Sequence, residues 1–166
     1  FKEYFGLFFF LHKICYITYG GWEFPGAEGS LGIDTAEGFK QKGALILHGD
    51  YTKGGAYVAA VRQIPKIETY GCSFKIKAPG FSSVELRVKD GSGQTFQQNV
   101  QLKDTNEWQK VEVPCFIISP NISYFGDEKD GIWRGKLEEL SIIIPCVKDG
   151  TGTMWIDEIE CAIRVK

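Results

Sequence analysis

The sequence predicts an all-β fold, a β-sandwich or jelly roll of roughly ten antiparallel strands. Three observations carry this. Aromatic residues and glycine are abundant, with 12 Phe, 7 Tyr, 4 Trp and 20 Gly in 166 residues against a single Met. That mixture favours strands and tight turns over helices. Short segments alternate apolar and polar residues with the period of two that a half-buried strand requires. Gly, Pro and Asp punctuate them at short intervals, and no stretch is convincingly helical.

Residues 1–21 read as an N-terminal extension of one or two strands, set before a body over 22–166. Within the extension, ICYITY (14–19) has strong strand propensity and Gly20-Gly21 ends it. WEFPG (22–26) reads as a loop, 30–34 as a short strand, and AEGFKQKG (36–43) as a polar connection. ALILH (44–48) and AYVAAVR (56–62) read as strands around a Gly-rich loop, with Pro65 ending the second. TYGCSFKIK (69–77) alternates cleanly.

A hairpin follows over VELRVKDGSGQTFQQNVQL (84–102). Val84, Leu86 and Val88 share one face, and Glu85, Arg87 and Lys89 the other. Asp90-Gly91-Ser92-Gly93 supplies the turn, where Gly tolerates positive φ and the Asp side chain can cap the backbone. The return strand sets Phe96, Val100 and Leu102 against Thr95, Gln97, Asn99 and Gln101. Residues 107–115 read as a strand, 119–135 as a long loop, EELSIII (138–144) as a strand closed by Pro145, and 153–165 as the last strand or pair of strands.

The formal net charge of −2 offers no electrostatic reason to bind nucleic acid. No segment is long and apolar enough to span a membrane. FGLFFFL (5–11) resembles the apolar core of a signal peptide but lacks a clear basic start. The five cysteines form no CxxC pair, which argues against zinc, and they read as small buried hydrophobes rather than a disulfide framework. No Gly-x-Ser-x-Gly, HExxH or P-loop pattern occurs.

The order of WEFPGAEGSLGID, GALILHGDYTKGGAYVAA, SFKIKAPG, ELRVKDGSGQTFQQ, EWQKVEV, GDEKDGIWRG and GTMWIDEIE over about residues 22–162 resembles one family. It is the galactose-binding-like jelly-roll modules attached to bacterial glycoside hydrolases. The resemblance implies a non-catalytic module that binds a polysaccharide or oligosaccharide and holds an attached glycoside hydrolase domain near it. It also implies an extracellular, cell-surface or periplasmic setting. Residues 1–21 and the five cysteines depart from the family's pattern.

Sugar binding needs a ring to stack on the C–H face of a pyranose and polar groups to bond its hydroxyls. Trp22, Tyr57, Tyr124 and Trp133 are the candidate rings, Trp22 and Trp133 because they lie in polar, Gly-rich loops. Phe24, Tyr51 and Phe125 are further aromatics of the same kind. Against this, either Trp can fold back to cap an open end of the sandwich. Arg87 and Gln97 are the candidate polar floor, unless their face is merely solvated. They serve a ligand only where the 124–133 loop lies over or beside them. Asp130 joins them from a cluster with Asp127 and Glu128. A glycosidase pair there would need carboxylates fixed across a cleft, which a loop run does not offer. Asp157 shares the apolar parity of Trp155, Ile159 and Cys161, so a regular strand would bury it. Either a β-bulge turns it out, or a cation neutralises it. In similar modules the matching Asp holds a structural Ca²⁺ with backbone carbonyls, here those around Gln41 to Gly43. Two rival functions remain: a structural or interaction sandwich that packs on a neighbouring domain or self-assembles, and a small glycan-cleaving enzyme.

Overall fold

A computed structural model describes residues 4–8, 15–19, 26–103, 106–114, 122–146 and 150–164. They form two antiparallel sheets packed face to face. The strands are β1 (Tyr4–Phe8), β2 (Cys15–Tyr19), β3 (Glu28–Asp34), β4 (Ala44–Asp50), β5 (Tyr57–Ile67), β6 (Thr69–Lys77), β7 (Ser83–Lys89), β8 (Gln94–Gln101), β9 (Gln109–Val113), β10 (Ile122–Gly126), β11 (Leu137–Pro145) and β12 (Thr151–Arg164). The first sheet runs β3-β4-β12-β6-β9, with β1 also paired to β12; the second runs β10-β8-β7-β11-β5-β2. The N-terminal stretch therefore supplies one strand to each sheet. Trp22 lies outside the described residues.

The alternation seen in the sequence becomes the division between core and surface. In β7, Val84, Leu86 and Val88 are buried while Glu85, Arg87 and Lys89 stand on the opposite face. The first sheet contributes Leu45, Leu47, Phe74, Ile76, Met154 and Ile156 to the same core, and the second adds Val58, Ile142 and Ile144. Tyr51 joins the two layers. Its ring is buried, and its hydroxyl donates to the Ile144 carbonyl at 2.7 Å. Cys72 and Cys161 face each other across β6 and β12, both buried. Burial pushes the Cys161 thiol up to about 12.

Two elements differ from the sequence reading, and a third resolves an alternative it left open. The stretch read as one long loop contains β10, which pairs with β8. Pro65 does not end β5. It sits where the β5–β11 register slips between Leu137 and Glu139, a place where a missing N–H costs no ladder bond. Of the two alternatives for the last segment, β12 is the single strand, 14 residues long. Its register with β6 slips between Asp157 and Glu160, so Asp157 to Glu160 oppose only Lys75 to Ser73. Glu158 takes the extra place, at φ 45°. One added residue inverts the parity. Met154 and Ile156 point inward before the bulge, Ile159 and Cys161 after it.

The Tyr51 hydroxyl bond yields a stability prediction. Tyr51→Phe leaves the buried Ile144 carbonyl without its donor and is expected to lower unfolding free energy by about 1–3 kcal/mol, read from urea denaturation.

Candidate functional site

The outer face of the second sheet gathers the polar candidates. Register places Ser123, Gln97, Arg87, Ser141 and Val61 in one row across β10, β8, β7, β11 and β5. Arg87 is the centre of this face. Its Nε donates to Gln97 Oε1 at 2.6 Å and its Nη2 to Glu85 Oε1 at 3.2 Å. Its guanidinium carbon lies 4.5 Å from the Tyr57 ring centroid and 5.7 Å from that of Phe125. Two rings thus flank one guanidinium above a floor of Gln97, Glu85 and Ser141. Beside Tyr57, Ala59, Val61 and Ile143 form a small apolar cluster on the same face. The arrangement offers ring faces and fixed donors and acceptors, the chemistry that a hydroxyl-rich ligand with C–H faces calls for, while Ala59, Val61 and Ile143 beside it are buried.

The sequence candidates divide. Tyr57, Arg87 and Gln97 come together. Tyr124 and Trp133 lie elsewhere, because β10 alternates: Phe125 takes the outer face and Tyr124 the other side. Tyr124 packs on Phe96 with centroids 6.4 Å apart, and Trp133 meets Phe96 edge-to-face at 5.5 Å. Trp133 is half-buried against the main core, so it caps the sandwich rather than lining the face. Of the 124–133 segment, β10 is the part that lies beside Gln97, with Ser123 directly opposite it.

Asp130 has a clamping position. It accepts from Gln94 Nε2 at 3.2 Å, from the Ile132 amide at 2.9 Å and from Arg134 Nη1 at 3.0 Å, with a second bond from Arg134 Nη2. The Arg134 guanidinium, and then the Ile132 amide, hold its carboxyl well below the usual carboxylate range. Two fully buried polar residues complete the clamp. Gln94 Oε1 accepts the Gly131 amide at 2.8 Å, and Asp90 Oδ2 accepts the Arg134 amide at 3.0 Å. Asp90 Oδ1 meanwhile accepts the amide and hydroxyl of Ser92 within its own turn. The hairpin turn thus fastens the 130–134 loop beside β8. Phe125 was among the aromatics the sequence offered, whereas sequence reasoning did not single out Gln94. For Gln94 a signal existed: it shares the inward parity of Phe96, where a polar side chain must find partners.

At Asp157 the test for calcium is the donor set. The bulge turns the carboxylate outward, where Oδ2 accepts the Phe39 amide and Oδ1 the Glu158 amide, each at 2.8 Å. Lys40, ion-paired with Glu158 at 2.9 Å, also lies within the field of Asp157. The Glu37 carbonyl is taken by the amides of Gly43 and Ala44, which folds the 37–44 loop onto itself. Donors and a cation surround Asp157, whereas Ca²⁺ needs oxygens. The residues here do not fit the expected calcium clip, and among the described residues no three His, Cys, Asp or Glu side chains cluster closely enough to hold a metal.

Two outcomes follow from these contacts. Treatment with EDTA is expected to leave the melting temperature unchanged; a fall reversed by Ca²⁺ would show that the 37–44 loop rearranges around an ion. The Asp130 clamp rests on a depressed carboxyl, so its contribution is present above the unfolded value and is lost only as pH falls through the folded one. The Ile132 amide, followed by NMR, is expected to hold its chemical shift from neutral pH to about pH 4, where a free Asp is already about half protonated.

No protein-family model and no curated protein matches the sequence. Among solved structures, the chain is similar to the family 11 carbohydrate-binding module of a cellulosomal cellulase of Clostridium thermocellum, at 15% identity and TM-score 0.68, over 99% of this chain and 96% of that one. A family 11 module from Clostridium thermocellum in complex with a β-1,3-1,4-mixed-linked tetrasaccharide is similar at 16% identity and TM-score 0.62, over 94% and 91%. An exo-β-agarase is similar at 13% identity and TM-score 0.61, over 97% of this chain and 25% of that one. At these identities the likeness establishes the fold, and the chain has the β-sandwich architecture of carbohydrate-binding modules.

Proposed function

We propose that this chain is a non-catalytic carbohydrate-binding module that holds an oligosaccharide or polysaccharide on the outer face of the second sheet. The observation that carries the reading is Arg87, fixed by Gln97 and Glu85 and flanked by Tyr57 and Phe125. Rings supply stacking surface while the amide, guanidinium and carboxylate bond hydroxyls. The likeness to a module holding a mixed-linked tetrasaccharide supports a β-glucan as the first ligand to try. The likeness to part of an exo-β-agarase supports a place beside a glycoside hydrolase domain, in an extracellular or cell-surface setting.

Asp130 is unsuited to the general-acid role of a glycosidase pair. A general acid needs a proton to give near neutral pH, and Arg134 holds this carboxyl ionised. The interaction-module reading keeps one supporting observation. Tyr124, Phe125 and Ile132 are exposed by 42%, 42% and 57%, on or next to the edge strand β10. Self-association through that edge would appear as a dimer in sedimentation.

Affinity electrophoresis against mixed-linked β-glucan, agarose, xylan and mannan tests the proposal. The chain is expected to be retarded by at least one, and Tyr57→Ala or Arg87→Ala is expected to weaken binding about tenfold, roughly 1.4 kcal/mol. Absence of retardation on every glycan by the folded protein would overturn it.

A further inference from the structure

We infer that the outer face of the first sheet carries a second binding cleft, built at the β12 bulge and sized for one neutral pyranose unit. The cleft has a volume of about 160 Å³ and is lined by Ser73, Phe74, Lys75, Lys110, Glu158 and Glu160. It lies on the opposite side of the sandwich from Tyr57 and Arg87, so it stands or falls separately from the site proposed above.

The bulge creates it. A regular β12 would run flush against β6, but the extra residue lifts Glu158, held at φ 45°. A left-handed conformation at a residue other than Gly, Asn or Asp is costly and persists only where its surroundings impose it. Here the Asp157 carboxylate holds the Glu158 amide and Lys40 holds its side chain. The remaining charges are unevenly used. Lys40 takes Glu158 and Lys110 takes Glu112, which leaves Lys75 and Glu160 without an ion-pair partner among the described residues. The Lys75 ammonium rests 4.3 Å from the Phe39 ring centroid, and that ring packs edge-to-face on Trp108. Phe39 is fixed in turn by its amide bond to Asp157.

The chemistry of the lining selects the ligand class. Two ammonium groups and two carboxylates sum to zero, so a charged ligand would leave one of them uncompensated. Ammonium groups only donate and ionised carboxylates only accept. Adjacent hydroxyls of a sugar ring do both, accepting from Lys75 while donating to Glu160. The volume admits one ring rather than a chain, which suits a chain end or a side branch. The one aromatic residue of the lining, Phe74, has its side chain buried in the core, so no ring face is offered and the binding is weak.

The test is an NMR titration of the ¹⁵N-labelled chain with D-glucose, D-galactose, D-xylose and D-mannose, with glycine as a zwitterionic control. At least one sugar is expected to shift the amides of Ser73, Lys75, Glu158 and Glu160 saturably, and to leave those of Arg87 and Gln97 less affected. Lys75→Met keeps the aliphatic stem and Glu160→Gln keeps the shape. Each is expected to weaken the sugar's binding about tenfold, as loss of one charge-assisted hydrogen bond gives, without changing retardation on the polysaccharide. The inference is overturned if no sugar shifts these amides, if glycine shifts them as strongly as any sugar, or if both variants bind like the parent.

Discussion

A strand with neighbours on both sides must keep one face dry along its whole length, and β12 is the strand on which this sandwich turns. It pairs with β4 from Thr151 to Ile156, with β1 from Glu160 to Arg164, and with β6 from Trp155 to Ile163. Its sequence breaks the alternation once, between Met154-Trp155-Ile156 and Ile159-Glu160-Cys161. Without the bulge, half of its apolar side chains would face water and Asp157 would enter the core. With it, both halves bury their apolar side, and the cost is concentrated at Glu158. The outward Asp157 then reaches Phe39, and the loop before β4 takes its place over the first sheet.

The second sheet solves a different problem. Its central strands β11 and β5 are buried on both faces, since Ile143, Ala59 and Val61 on the outer side are as inaccessible as the core. The polar groups of the outer face therefore stand at the border of an apolar strip. Arg87 is useful there because its charge is balanced locally by Glu85 and its plane is shared by two rings.

Much of the fold was legible because strand parity is a local property. Val84, Leu86 and Val88 against Glu85, Arg87 and Lys89 needed no knowledge of neighbours. What was not legible depends on pairing across long sequence distances. Phe125 reaches Arg87 because β10 pairs with β8, and nothing in SYFG announces that partner. Trp133 reads like a loop ring, yet Phe96, a residue far from it in sequence, draws it inward. Asp157 was legible as a conflict of parity, and a bulge was one of its two solutions. Choosing between them required seeing which atoms meet the carboxylate.

The contacts of Arg87 bear on how strongly such a face can discriminate. A long side chain that must be ordered at the moment of encounter forfeits about 0.5–1.5 kcal/mol of affinity to lost rotamer freedom. Here Gln97, Glu85, Tyr57 and Phe125 all contact the guanidinium within the chain itself. Its donor directions are therefore set before any ligand arrives. A rigid donor fork rewards an epimer whose hydroxyl meets it and penalises one whose hydroxyl points away. On the proposed reading, such a face favours stereochemical selectivity over tightness.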